Sequence, residues 1–378
     1  MSKITARVAS SAAEIGASAW NACAGIEHPF TRYEFFAACE QSGSASPSEG
    51  WQPCHLVIEK DGAVDGLMPL YLKSHSQGEY VFDHAWADAF ARAGGDYYPK
   101  LQAAVPFTPV TGRRLLAASE ETRTALLMTG AAATKDFEAS SLHITFLTEA
   151  EWKEAGALGY LQRMDQQYHW ENRGYANFDQ FLAELSSSKR KNLRKERASV
   201  FAEGVEFDWL SGADITEAHW DTFFAFYTDT GGRKWGHPYL TREFFSRVGM
   251  SMGEQVVLIL ARRNGRAIAG ALNFAGGGVI YGRNWGCTEY IPFLHFETCY
   301  YQAIDYAIAH GLSKVEAGAQ GAHKFLRGYM PAPTYSAHFI AHPGLRRAVA
   351  DYLAQEREAV AEHIEELTER APFKKAGG

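Results

Sequence analysis

The chain carries one short segment twice, and any fold proposed for it must hold both copies. Residues 28–36 read His-Pro-Phe-Thr-Arg-Tyr-Glu-Phe-Phe, and residues 237–245 read His-Pro-Tyr-Leu-Thr-Arg-Glu-Phe-Phe. Five of the nine positions are identical, 209 residues apart. Trp20 stands in a helical pattern before the first copy, and Trp220 in one before the second. A hairpin signal follows each copy. In the first half two apolar runs flank Asp61-Gly62, and in the second half two flank Asn264-Gly265. Both dipeptides supply the positive φ angles that tight hairpin turns need. So long a period means two similar domains rather than a solenoid. A length of 378 residues agrees, at roughly 100–200 residues per domain.

Each half then reads strand, helix, helix, hairpin, strand, helix, strand. In the second half the spacing predicts a strand over 279–285 and a helix over 296–310. That helix carries a stripe of Phe296, Cys299, Tyr300, Ala303, Ile304, Ala307 and Ile308. Gly311 closes it. Strands follow over 314–317 and 335–341. The expected division is a first domain over 1–173 and a second over 174–343, with a basic helix near 186–200. A C-terminal helix over 344–372 is expected to pack on the second domain. The fold class is α+β with mixed sheets.

Composition excludes several classes. With 46% hydrophobic residues the chain is no disordered polymer. No run reaches the ~18–20 apolar residues of a membrane span, and the first residues lack a signal-peptide layout. A soluble, cytoplasmic protein is expected. Net charge is −7, so the whole chain does not match nucleic acid, although a local basic patch would. Five widely spaced cysteines without a C-x-x-C argue against a disulfide framework or a zinc ribbon. His338 and His342 have zincin-like spacing, but on a strand they stand about 13 Å apart, so no metal is expected.

The element order, present twice, resembles the GNAT N-acetyltransferase fold in tandem. The segment Ser-Lys-Arg-Lys-Asn-Leu-Arg-Lys-Glu-Arg over 188–197 is similar to the basic helix that opens the second domain of Fem aminoacyltransferases. Residues 71–80, 97–102, 105–112, 169–174 and 315–321 resemble the FemAB-like group, labelled peptidoglycan biosynthesis/recognition. The resemblance implies tandem duplicated GNAT-like acyltransferase domains with a pocket at their seam. It implies transfer of an acyl or aminoacyl group onto an amine of a cell-wall precursor, peptide or small acceptor. Direct attack is expected, with no permanently bound cofactor. The donor is aminoacyl-tRNA or acyl-CoA.

The residues leave the donor open. A GNAT domain binds the CoA pyrophosphate at a Q/R-x-x-G-x-G/A loop, where backbone N–H groups at a helix start cradle the anion. The second half has Gly-Cys-Thr-Glu-Tyr-Ile-Pro-Phe-Leu-His over 286–295 in that place, with Glu289 nearby and a proline lacking a donor. That departure favours aminoacyl-tRNA. In the first half Thr108, Thr111, Gly112 and Arg113, with Lys100, make a candidate phosphate loop. Lys189, Arg190, Arg194 and Arg197 are candidates for tracking a nucleic-acid backbone, tRNA included, or a phosphorylated acceptor; a solvated charged face is the alternative.

The densest candidate for chemistry lies in the second half. Glu297 and His295 are candidate bases, and Tyr300 and His323 complete the catalytic set. Glu316, Gln320, Lys324 and Arg327 are candidates for binding substrate. Asn273, Tyr281, Arg283 and Trp285 alternate along two strands and line the same groove. Two other readings remain: an acyl-CoA-dependent N-acyltransferase, and a non-catalytic protein that recognises peptidoglycan or RNA.

Overall fold

A computed structural model describes residues 3–235, 238–318 and 321–374. The described strands run in order β1 (Ile4–Ala9), β2 (Trp51–Pro53), β3 (His55–Lys60), β4 (Ala63–Met68), β5 (Leu70–Lys73), β6 (Lys100–Ala103), β7 (Leu116–Ala117) and β8 (Ser141–Leu147). They continue with β9 (Leu161–Glu171), β10 (Val205–Leu210), β11 (Val256–Arg263), β12 (Arg266–Gly276), β13 (Val279–Cys287), β14 (Lys314–Glu316) and β15 (Met330–Ile340). The chain divides into two compact units. Unit 1 holds Met1–Gln166 with Pro333–His363, and unit 2 holds Gln167–Ala332 with Ile364–Gly378.

The motif copies do the same work in both units. Helix Ala17–Ala24 sets Trp20 against Phe36, ring centroids 4.8 Å apart. Helix Glu217–Trp235 sets Trp220 against Phe245 at 5.8 Å. Both tryptophans are buried. The two Phe residues are the last position of each motif copy, so the repeat survives because it packs the same core contact. His237, which opens the second copy, lies outside the described residues. Both hairpins form as the turn residues dictate. Asp61 and Gly62 join β3 to β4, and Asn264 and Gly265 join β11 to β12, all four with positive φ.

In unit 1, β1, β3, β4 and β7 make one sheet, and β2, β5, β6, β8 and β15 make another. In unit 2 the order is β10, β11, β12, β13, β14, β9. Each unit has one strand pair that runs parallel with a helix between its members. In unit 1 it is β6 with β8, joined through helix Glu120–Asp136. In unit 2 it is β13 with β14, joined through Leu294–Ala309.

The expected boundaries at 173 and 343 differ from these units for a physical reason. β15 pairs with β8 from Tyr335↔Leu147 to Ile340↔Ser141, which draws Pro333–His363 into unit 1. The C-terminal helix, Pro343–Glu369, then buries Leu345, Val349 and Leu353 against Trp86, Tyr97 and Ile340. Arg163 clamps Glu356 of that helix at 2.7 Å. The helix was expected to pack on the second domain; its first half packs in unit 1 instead. No helix of the described residues is long and apolar enough to cross a membrane.

Candidate functional site

The parallel pair of unit 2 comes apart early. Its register runs Val279↔Lys314, Ile280↔Val315 and Tyr281↔Glu316, and then β14 ends while β13 continues to Cys287. The gap is a cavity of about 90 Å³, lined by Asn273, Gly282, Arg283, Trp285, His295 and Tyr300 among others. Gly282 keeps it open. A side chain starting there would lie 3.4 Å from Asn273 Oδ1, 3.5 Å from the Glu316 carbonyl and 3.6 Å from Ala317 Cα. Three polar or backbone groups therefore converge on one bare stretch of strand.

Two buried acceptors near the parting strands have no hydrogen-bond donor: Asn273 Oδ1, on a residue that lines the cavity, and Glu316 Oε2, on the last residue of β14. The Asn273 amide spends its N–H groups on the Val257 and Ala271 carbonyls. Lys314 Nζ stands 3.8 Å from Glu316 Oε1, and His169 Nε2 stands 3.9 Å from Oε2, both too far for a hydrogen bond. Burial pushes the Glu316 carboxyl up to about 7. Burial pulls the Lys324 ammonium down to about 8; its Nζ donates to the Gly318 carbonyl at 2.9 Å. A carboxyl and an ammonium poised this close to neutrality suit proton transfer in both directions.

An aromatic group roofs the gap. His295 packs against Trp285 at 5.0 Å and Tyr300 at 5.3 Å. The Tyr300 hydroxyl and His323 Nε2 share a hydrogen bond of 2.9 Å. Burial raises Tyr300, while burial and the nearby Arg327 and Lys324 charges lower His323, so both stay neutral near pH 7. Tyr300 stands in a π-helical turn, Glu297–Tyr301, inside the expected helix. Such turns are frequent at functional sites.

The other expected residues of this half are engaged elsewhere. Glu297 is fully buried and held by Arg197 through both oxygens, at 2.9 and 3.2 Å, with Gln302 donating at 2.8 Å. Burial raises its carboxyl, against the pull of Arg197. A carboxylate so occupied is an anchor for helix Ser187–Ala202. Arg197 also reaches Asp305 at 2.6 Å, so it faces inward rather than toward a phosphate backbone. Arg327 is likewise spent on Glu196 of that helix, at 2.8 and 3.2 Å, and its guanidinium lies 3.5 Å over the Phe296 ring. Arg194 stays exposed and pairs with Asp179 at 2.9 Å. Lys189 and Arg190 are half-buried on the same helix. Tyr281 is buried beside Glu316. Gln320 lies outside the described residues.

In unit 1 the expected phosphate loop is turned into the protein. Thr108 Oγ1 donates to the Pro106 carbonyl, and the Gly112 N–H donates to the Phe146 carbonyl. The Thr111 carbonyl meets His28 Nε2 at 3.1 Å. Arg113 donates to the Cys23 and Ala117 carbonyls. Lys100 is fully buried and donates to Ser76, Glu79 and Asp83 at 2.8, 2.7 and 2.5 Å. Burial works against the Lys100 charge, but the two carboxylates outweigh it and raise its pKa.

Two residues of the site were not singled out as functional from the sequence. His169 joins the Glu316 edge through the register of β9 with β14, although it lies 147 residues upstream. Gly282 is one glycine among 35, and only the parting of the strands makes it important. His338, set aside as a metal ligand, shares a hydrogen bond with His143 between their Nδ1 atoms at 2.7 Å, and His342 Nδ1 accepts from the Leu345 N–H.

Comparison with known proteins supplies the fold. The FemAB-like family model, described as peptidoglycan biosynthesis/recognition, matches residues 11–375. No curated protein matches the chain. Among solved structures it is similar to FemX at 13% identity, with 81% of this chain and 92% of that chain covered and a TM-score of 0.52. It is similar to L-PGS from Bacillus licheniformis at 12% identity, covering 87% and 98%, with a TM-score of 0.52. A tandem GNAT protein from the clavulanic acid biosynthesis pathway matches at 11% identity, covering 90% and 99%, with a TM-score of 0.50. The shared feature is the fold, an α+β arrangement of duplicated GNAT-like domains.

Proposed function

The chain belongs to the FemAB-like family, and from that premise we propose that it transfers an acyl or aminoacyl group onto an amine, using the gap between β13 and β14. One observation carries the reading: the parallel strands part at Tyr281 and Glu316 and leave two buried acceptor oxygens without donors. Such orphans cost stability and need a reason. An incoming amine supplies one: its N–H groups are the donors that Asn273 Oδ1 lacks, and Glu316 is a carboxylate close by with an oxygen still free to accept.

The chemistry then balances with the groups present. The amine nitrogen attacks the donor carbonyl and forms the new C–N bond. Its proton passes to the Glu316 carboxylate. The C–O or C–S bond to the donor breaks, and the leaving oxygen or sulfur takes a proton from the Lys324 ammonium. The neutral pair Tyr300 and His323 donates a hydrogen bond toward the developing oxyanion. Glu297, Arg197, Arg327 and Glu196 hold the two helices that frame this arrangement. They are positioning residues.

Aminoacyl-tRNA is the donor this reading favours. The loop after β13 presents Glu289 and Pro292, and Lys189 and Arg190 stand on the helix Ser187–Ala202. The acceptor class is an amine of a cell-wall precursor, peptide or related small molecule, and the reaction is placed in the cytoplasm. The test is amide formation, followed by mass spectrometry, with aminoacyl-tRNA and acyl-CoA pools offered separately. Product from the tRNA pool supports the reading, product from acyl-CoA alone moves the donor, and none from either sinks it.

A further inference from the structure

A second cavity adjoins the gap, and its walls name what it takes. It measures about 360 Å³, inside the ~300–1,000 Å³ range of small-molecule sites. Its walls are Trp285, Ile291, Pro292, Phe293, Leu294 and Phe296. Among the described residues no lysine or arginine lines it. Its one acid, Glu289, pairs with Arg266 at 2.5 Å and lies 3.7 Å from Arg263. Pro292 offers no N–H, and the helix that follows, Leu294–Ala309, starts without a side-chain cap. Among the described lining residues an anion entering here meets no lysine or arginine, and the nearby Arg266 is already paired with Glu289. Water wets a rim of large apolar groups instead: Tyr290 is 92% exposed and Phe293 38%. An apolar ligand would remove that surface from water.

Trp285 and His295 are walls of both cavities. One molecule can therefore have its reacting end in the gap and its hydrocarbon in the larger chamber. We propose that the chamber beside β13 takes the uncharged hydrocarbon part of the transferred group, an aliphatic or aromatic acyl or aminoacyl side chain. The loop that opens this chamber thus selects the donor by apolar contact. The inference rests on the reading that transfer occurs between β13 and β14.

Cys287 lies on the chamber wall and reports its occupancy. Its alkylation by iodoacetamide, read by peptide mass spectrometry on the full chain, is compared in acetamide, butanamide, hexanamide, octanamide and inorganic pyrophosphate. Each added methylene should lower the half-protecting concentration about two- to fourfold. Pyrophosphate should give no protection, and Cys23 in unit 1 should alkylate at one rate throughout. Protection by pyrophosphate, or equal behaviour of the short and long amides, overturns the proposal. If Cys287 does not react, the thermal midpoint serves. Octanamide should raise it for the wild type and not for Pro292→Trp, which fills the chamber from an exposed position; an equal rise in both, or none in the wild type, overturns the proposal. Neither readout needs turnover, so a protein that forms no amide yet shows the amide series would lose the transfer reading and keep the chamber.

Discussion

In unit 1 the parting strands are rejoined by their own chain, whereas in unit 2 they stay apart. β6 and β8 pair from Leu101↔Leu142 to Ala103↔Ile144 and then separate, as β13 and β14 do after Tyr281↔Glu316. Beyond that point, however, Arg114 fills the space. Its guanidinium is fully buried and donates to the Thr145, Val110 and Gly112 carbonyls at 2.9, 2.7 and 3.0 Å. The Gly112 N–H takes the Phe146 carbonyl. Unit 2 has no such plug among its described residues. It keeps Asn273 Oδ1 and Glu316 Oε2 without donors; unit 1 has donorless oxygens too, among them Gln102 Oε1 and Thr111 Oγ1, so the contrast rests on the Arg114 plug. The same topology is thus filled in unit 1 and left parted in unit 2, where we propose the reaction occurs.

The largest test of that contrast is Glu316→Gln. It should lower turnover about 10²–10⁴-fold, as loss of a general base does, with the fold intact by circular dichroism. Next comes Arg114→Met. Three buried carbonyls lose their donor, so stability should fall by about 3 kcal/mol or more in denaturant titration, with turnover of the folded protein unchanged. If Arg114→Met instead abolished turnover in folded protein, the assignment of the two gaps would be reversed.

A pH profile sharpens the contrast further. Glu316 is active as the carboxylate and its pKa is raised to about 7, so the rate should climb as pH rises through 7. Lys324 acts as the ammonium and is lowered to about 8, so the rate should fall above 8. In Glu316→Gln the rising limb should vanish from whatever activity remains. A rate flat from pH 6 to 9 in the wild type would count against both roles. The smallest expected effect is on the basic helix. Lys189→Ala and Arg190→Ala should each reduce the salt slope of tRNA binding by about 1, with a stability change within about 0.5 kcal/mol. An unchanged slope would remove tRNA contact from that helix.

Much of this was legible from residues close in sequence. The repeated motif shows the duplication because its last Phe packs on a tryptophan in both units. The hairpins and the basic helix follow from local turn and periodicity rules. What was hidden is long-range. Nothing in the order of elements says that β15 joins the sheet of unit 1, since a strand's partner is chosen by packing. Glu297 looked like a base because its partner, Arg197, lies 100 residues away. Lys100 looked free for phosphate because Glu79 and Asp83 are joined to it only through the fold. Glu316, by contrast, was expected to bind substrate, and it is the carboxylate left without a donor.

The most direct test of the gap in unit 2 is a size series at Gly282, read as the rate of amide formation with the active donor pool. Gly282→Ala meets only ordinary contacts, 3.4 Å or longer, and should retain most of the rate. Gly282→Val should fill the space beside Asn273 and Glu316 and stop transfer, with a thermal midpoint close to that of the alanine variant. Full activity in folded Gly282→Val would contradict the account.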